Sequence, residues 1–503
     1  MLADLVGRLT AAVADVLRIE DVDPDASFLN LGGTSLDAVR VRARFAASTG
    51  YSFDVVDLLR SERLGELALH AAPATERPSG SDSHPLRASD AQLWMLAAEQ
   101  ADPDHPKFQF ACAFEVDGPL DVPALAGALE DTHRAHEVLH TSFAPAGDEW
   151  TVEVHSEPLS VEIVDGVDPE LVHDRLSALA QEHFPAEGPD RWRVVLVSTG
   201  PARHYLGISF DHRVVDGWSL NILLDEISRR YLARLSETGP EPAAPSYLDL
   251  LRGLDDETRR RRRTAAVDFW RVRLPAKYQD YPFTLPGRLG DPAGDSRVLS
   301  VAVSEEVADA LHRTATMVGQ TVWVVATSAL AQVLHRRTGS TSVRILTSAA
   351  NRSYGTESTV GWFANGLLNT YRLAAGSTLS ERLEEVARES TAASAFSDVP
   401  ARYVRCGLWP DAPAGYRTDS QIYLAVNEEW TKPLTIHGCT VKGIATDTAA
   451  DSPGIELFLE ASSTGWVLDA FFFESEYPMN LVRELMDEFL TEIRNNWLEV
   501  ESK

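Results

Sequence analysis

The stretch SFDHRVVDGWS, Ser209 to Ser219, concentrates residues able to handle protons. His212 is followed four residues later by Asp216 and then Gly217, and Asp211 sits directly before it. A neutral imidazole near pH 7 accepts a proton from an attacking amine, thiol or hydroxyl, or holds that nucleophile in place. An aspartate at this spacing fixes the loop by pairing with a cation from elsewhere in the chain. Gly217 lets backbone approach a reacting carbonyl closely, and its N–H stabilises developing negative charge. Taken alone, the same residues also describe a satisfied core histidine beside an ordinary aspartate–glycine turn.

A second stretch, LGGTSL at Leu31 to Leu36, sets Ser35 after a Gly-Gly turn and before a helical run. Two glycines permit a backbone shape that other residues resist. A serine at a helix start commonly serves as an N-cap. The same place also suits a phosphodiester, because the first-turn N–H groups and the helix dipole favour an anion.

The elements that must position these residues are partly legible. Leu2, Leu5, Val6, Leu9, Val13, Val16 and Leu17 recur at helical spacing, and Leu36, Val39, Arg40 and Phe45 suit a second helix. A small helical bundle over residues 1–72 is the expectation. APATERPSGSDSHP, Ala72 to Pro85, reads as a flexible linker over residues 73–85. Beyond it, FACAFEVDG, HYLGISF and SVRILTSA alternate like strands, whereas VPALAGALEDTHRAHEVL, WSLNILLDEISRRYLARL and NLVRELMDEFLTEIRNNWL carry helical periods. HYLGISF as a strand and LNILLDEISRRYL as a helix make DHRVVDGWS the loop between them. The charged, helix-prone segment around residues 253–282 connects two α/β lobes, drawn here as residues 86–260 and 261–503.

Bulk properties narrow the function. A chain of 503 residues exceeds a single core, and about two to four domains are expected. A formal net charge of −29 argues against a nucleic-acid binder, since phosphate contacts need clustered Lys and Arg. The five consecutive arginines Arg259 to Arg263 read as a solvated face or an inter-lobe salt-bridge strip. No apolar run approaches the ~18 residues of a membrane helix, and MLADLVGRL has no signal-peptide pattern. Cys112, Cys406 and Cys439 are far apart, show no metal-ligand spacing and fit a reducing cytoplasm.

Residues 1 to about 72 resemble a peptidyl carrier protein, in which L-G-G-x-S-L carries the serine modified by 4′-phosphopantetheine. DLLRSERLGELALH is similar to the last helices of such a domain. The resemblance implies a four-helix bundle with Ser35 as the attachment residue. A tethered thioester reaches a distant site at high effective concentration, so weak docking suffices.

DHRVVDG resembles the active-site stretch of the acetyltransferase subunit of 2-oxoacid dehydrogenases. H-x-x-x-D-G also belongs to chloramphenicol acetyltransferase and, as H-H-x-x-x-D-G, to the condensation domains of non-ribosomal peptide synthetases. The loop alone does not separate the three. Other stretches favour the condensation domain: ASDAQLWMLAAEQADP (Ala88 to Pro103), HRAHEVLHTSF (His133 to Phe143), PSYLDLL (Pro245 to Leu251), DFWRVRL (Asp268 to Leu274) and AANRSYGTESTVGWFANGLLNTYRL (Ala349 to Leu373). Together they resemble the ordered motifs of that family over residues 86–503. The resemblance implies a V-shaped pseudo-dimer of two chloramphenicol-acetyltransferase-like lobes. In it His212 is the active-site histidine, and Asp216 is a structural aspartate paired with Arg352 of AANR. Gly217 lies beside the reacting carbonyl, and Asn365 comes from the G-x-F-x-N motif.

Two departures stand out. Asp211 replaces the first histidine of the motif. With Asp216 and Ser219 it also satisfies D-x-x-x-x-D-x-x-S, the pattern of heterocyclization domains, although GWFANG lacks the D-F-T-x pattern those domains carry. His140 replaces the second arginine of R-H-E-x-L-R-T, which puts that arginine's usual contacts in doubt. Amide formation, a cyclising or otherwise modified condensation, and a non-catalytic docking scaffold all remain open at this point.

The first of these implies a carrier–condensation didomain. Ser35 would hold the upstream acyl or peptidyl thioester, and a downstream acceptor carrier would bring an aminoacyl thioester loaded by an adenylation domain. A phosphopantetheinyl transferase would modify Ser35. The resemblance implies no metal, no nucleic acid and no membrane. The lack of an adenylation-type segment implies a piece of a larger chain.

Overall fold

The computed structural model describes residues 2–74, 86–101, 108–147, 149–236, 245–253, 256–294, 296–352, 355–412, 421–427, 434–444, 453–462 and 465–501. Most of the expected linker, residues 75–85, lies outside them.

The N-terminal unit is a bundle of α1 (Leu2–Leu17), α2 (Ser35–Thr49), α3 (Val55–Arg60) and α4 (Leu64–Leu69). The apolar stripe of α1 puts Leu5, Leu9 and Val13 in one core with Phe28, Val41, Phe45, Leu58 and Leu64. Burying such a stripe, more than helix propensity, holds short helices in place.

The remaining chain forms two α/β lobes. The strands of their two main sheets are β1 (Gln109–Asp117), β2 (Val161–Asp165), β3 (Trp192–Gly200), β4 (Arg203–Asp211), β5 (Ser296–Ala302), β6 (Ser342–Ala349), β7 (Asn365–Arg372), β8 (Gln421–Asn427), β9 (Thr440–Ile444), β10 (Gly454–Ser462) and β11 (Gly465–Phe473), beside a separate hairpin of Thr141–Ala146 and Glu149–Val154. The first sheet runs in the order β9-β1-β4-β3-β2, antiparallel except for the β2–β3 pair. The second runs β7-β6-β8-β10-β11-β5, with parallel pairing of β6–β8 and β8–β10. HYLGISF lies in the central strand β4, where burial is nearly continuous from Leu206 onward in place of the expected alternation, and that strand ends at Asp211.

The lobes are not two successive blocks of sequence. The helix Asp256–Arg271 spans the boundary drawn at 260/261. Strand β9, from the C-terminal half, pairs with β1 and extends the first lobe's sheet. The arginine run ties the lobes together. Arg263 donates to both oxygens of Asp90 at 2.9 and 2.6 Å, and Arg262 Nε donates to Asp398 at 3.0 Å. These are partly exposed pairs, each worth about 0–1 kcal/mol. No single described helix is long and apolar enough to cross a membrane.

Candidate active site

The serine of LGGTSL is placed by backbone geometry. Gly32 has φ +85°, a left-handed shape that favours glycine. A Cβ on Gly33 would lie 2.3 Å from the Phe28 ring, so that position is glycine for packing. The N-cap of α2 is Thr34, whose hydroxyl accepts from Asp37 N while Asp37 accepts from Thr34 N, a reciprocal capping box. Capping is therefore done by Thr34, and Ser35 stands at the first helical position instead. The serine is not needed to end the helix.

The motif loop lies between β4 and the helix Gly217–Leu235 as expected, but is shorter than DHRVVDGWS, since Asp211 closes the strand and Gly217 to Ser219 already belong to the helix. Asp216 is the N-cap of that helix and accepts from Ser219 N at 2.8 Å. Its carboxylate accepts three further bonds: from Arg352 Nη2 at 2.7 Å, Phe363 N at 3.0 Å and Ala364 N at 3.2 Å. Asp216 is 1% exposed and Arg352 4%. A buried charge of this kind persists only when paired and well supplied with hydrogen bonds. Arg352 Nη1 donates to the carbonyls of Thr356 and Thr359, and its guanidinium lies 4.0 Å from the centre of the Phe363 ring. Ser219 completes the lock. Its hydroxyl accepts from Arg352 Nη2 and Gly361 N and donates to Gly361 O. The helix start and the GWFA segment are thus joined through buried side chains from both lobes.

That junction positions His212. Its Nδ1 donates to Val215 O at 2.8 Å, which leaves Nε2 as the acceptor of the neutral ring. The ring is clamped edge-on by Trp362, centroids 4.4 Å apart at 88°, and by Phe110, 4.8 Å at 63°. Burial pushes the imidazole below its ordinary value, against the opposing pull of the Val215 carbonyl and of Asp216 and Asp211. The histidine is a neutral acceptor held in one orientation.

His212, Asp216 and Gly217 line a cleft of about 2860 Å³. Its walls come from the first lobe (Phe110), the second lobe (Trp362) and the carrier (Thr34, Arg40). The charge locking the loop and the histidine facing the cleft are therefore separate groups.

Asp211 does something else. It is fully buried, with Arg191 Nη1 at 2.5 Å, Arg213 Nη2 at 2.9 Å and the Arg213 backbone N at 2.9 Å. Burial works against its charge, but Arg213 and Arg191 outweigh it and hold the carboxyl below the usual carboxylate range. Arg191 also donates to the carbonyls of Thr141, Pro185 and Ala186, and Arg213 pairs with Glu99 at 2.7 Å. Neither Asp211 nor Ser219 lines the cleft, so two of the three residues matching the cyclising pattern are spent on structure. Asn365 does not line the cleft either. It opens β7 and its amide donates to Ser397 O at 2.7 Å. His140 occupies the site of the missing arginine by donating to His155 O and packing 4.8 Å from the His133 ring.

Sequence reasoning missed the aromatic clamp and the partners of Asp211. Trp362 lies within the quoted GWFANG, and Arg213 within DHRVVDG, but ring-to-ring contact and burial have no signature at that level. In PSYLDLL, Tyr247 has a structural part: it donates to Trp362 O at 2.8 Å. The opening motif braces the other side, where Gln92 Nε2 donates to Arg213 O at 3.0 Å.

Comparison with known proteins bears on the family and the fold. Residues 83–407 match the model of the family described as Condensation domain, and residues 7–71 match that described as Phosphopantetheine attachment site. The chain is 29% identical over 406 residues to the PF 1022-synthetase of Rosellinia sp., covering 77% of this chain and 12% of that protein. It is 27% identical over 466 residues to the isonitrile lipopeptide synthase of Mycobacterium tuberculosis, covering 85% and 18%. The chain thus spans under a fifth of the length of these relatives. Among solved structures, the X-domain from teicoplanin biosynthesis superimposes with TM-score 0.70 at 20% identity, covering 84% of this chain and 96% of that one. The first condensation domain of the calcium-dependent antibiotic synthetase does so with TM-score 0.68 at 20% identity, covering 82% and 97%.

Proposed function

The chain belongs to the condensation-domain family and carries a phosphopantetheine attachment domain ahead of it; from that premise we propose that it forms a peptide bond in non-ribosomal peptide synthesis. The observation that carries this reading is His212, a neutral acceptor clamped by Trp362 and Phe110 in a cleft that the carrier domain also lines.

Ser35, at the first position of α2 beside the cleft-lining Thr34, is the residue we assign to hold 4′-phosphopantetheine. The position fits, since capping falls to Thr34 and a helix start favours a phosphodiester. When bound, the group supplies the thiol that keeps the upstream acyl or peptidyl chain activated as a thioester. A downstream carrier brings an aminoacyl thioester, itself loaded by an adenylation domain, and a phosphopantetheinyl transferase modifies Ser35. We place this work in the cytoplasm, where the thiols of Cys112, Cys406 and Cys439 stay unpaired.

At the site the acceptor amine attacks the donor carbonyl, a C–N bond forms and the C–S bond breaks. His212 Nε2 orients the amine and takes its proton, which leaves with the departing thiolate. Gly217 brings the first-turn amide of its helix to the cleft, next to the developing oxyanion. Asp216 and Arg352 hold this geometry and transfer no proton. Most of the rate comes from alignment of two tethered partners, an effect worth up to about 7–11 kcal/mol.

The test is to load Ser35 with a donor thioester, add an aminoacylated acceptor carrier and follow dipeptidyl product by mass spectrometry. An amide product supports the proposal. A thiazoline or oxazoline product, or none with any acceptor, overturns it.

A further inference from the structure

Helix α2 of the carrier rests against the segment that bears Arg352. Arg42 Nη2 donates to the Arg352 carbonyl at 2.5 Å and lies 3.6 Å from Glu357 Oε1. The two side chains are only 13% and 15% exposed. Two residues earlier on α2, the Arg40 guanidinium stands 6.0 Å from the centre of the Trp218 ring. Trp218 in turn donates its Nε1 to the Glu357 carbonyl at 2.8 Å. Two arginines of one unit thus meet a carboxylate, a carbonyl and an indole face of the other. The Arg352 peptide joins both networks: its side chain binds Asp216, and its carbonyl receives Arg42.

We propose that Arg42 is the docking residue that seats the carrier on its own condensation domain, with Glu357 and the Arg352 carbonyl as its receptor. At 3.6 Å the carboxylate contact is coulombic rather than a hydrogen bond. It therefore tolerates small displacements, as a carrier that must leave and return requires. The carbonyl bond supplies direction. Partial burial shields the pair from salt, so it acts at physiological ionic strength. Arg42 is a positioning residue. By setting α2 against Trp218 it fixes where Ser35 stands relative to the mouth of the cleft. That consequence for the donor rests on the condensation reading, whereas the docking does not.

The experiment uses the full chain with Arg42→Glu, Glu357→Arg and the double variant, with Arg42→Lys as the conservative control. Small-angle scattering reads docking directly. The wild-type chain and Arg42→Lys should be compact, each charge reversal should enlarge the radius of gyration, and the double variant should regain compactness beyond either single. Turnover is read in parallel with the donor on Ser35 and with a soluble pantetheine thioester donor. Arg42→Glu should lower turnover of the Ser35-bound donor by roughly tenfold or more relative to the soluble donor, and the double variant should recover part of it. Thermal melting and loading of Ser35 by the transferase confirm folding. A chain equally compact with and without Arg42→Glu, or a double variant no better than the worse single, overturns the docking role. Absence of product with both donors overturns the condensation reading, while scattering still decides the docking.

Discussion

Arg352 Nη2 of the second lobe lies 2.7 Å from Asp216 Oδ1 of the first, and neither side chain is more than 2% exposed. One carboxylate thereby caps the motif helix, receives the amides of Phe363 and Ala364 and neutralises a buried cation. Arg352→Ala leaves that carboxylate without its charge partner, an arrangement that costs about 3–5 kcal/mol. A denaturant titration should show this loss, and turnover should fall although the variant leaves His212 in place. Normal melting together with normal turnover would contradict the lock.

Asp211 is the second test. Asp211→Asn leaves Arg191 and Arg213 buried with half their compensation removed, so stability should fall by about 3–5 kcal/mol. Molecules that remain folded should still make an amide. A switch in product class, with stability unchanged, would return Asp211 to the chemistry.

Gly361 is constrained by packing. A Cβ there would stand 2.2 Å from the Tyr247 ring, and Tyr247 holds the Trp362 carbonyl. Gly361→Ala should cost about 1–3 kcal/mol by overpacking and lower kcat more than it raises KM, because Trp362 clamps the histidine. Wild-type kcat in this variant would show that the clamp is dispensable.

The pH dependence follows from burial of His212. Its folded value is depressed, so the neutral, proton-accepting form persists on acidification past the ordinary value of about 6.5. Turnover should be level near neutrality and fall only below that value. The unfolded chain binds this proton first, so His212 also makes folding less favourable as pH falls below its unfolded value. Trp362→Ala opens the ring to water, lessens the desolvation and should move the acid limb upward. A limb that stays put would remove burial as the cause.

Much of this was legible in residue patterns. The strand–loop–helix setting of His212 followed from a change of hydrophobic period, and the Asp216–Arg352 pair followed from family motifs lying far apart in sequence. The helical carrier followed from the spacing of Leu5, Leu9 and Val13. What stayed hidden depends on contacts between distant segments. The pairing of β9 with β1 crosses from the C-terminal half into the first sheet, and a five-residue strand has no pattern that names its partner. The charge partners of Asp211 include Arg191, twenty residues away, and only burial turns that proximity into a structural requirement. Local spacing alone left Ser35 between an N-cap and a phosphodiester-bearing serine; the cap falls to Thr34 through its exchange with Asp37.

The most direct measurement is the rate of dipeptidyl product formation by wild type and His212→Ala, each with its donor loaded on Ser35 and one acceptor carrier at saturation. Removal of a positioned proton acceptor should lower that rate by about 10²–10⁴-fold while melting and Ser35 loading stay normal. Product formed by His212→Ala at the wild-type rate would contradict the role assigned to this histidine.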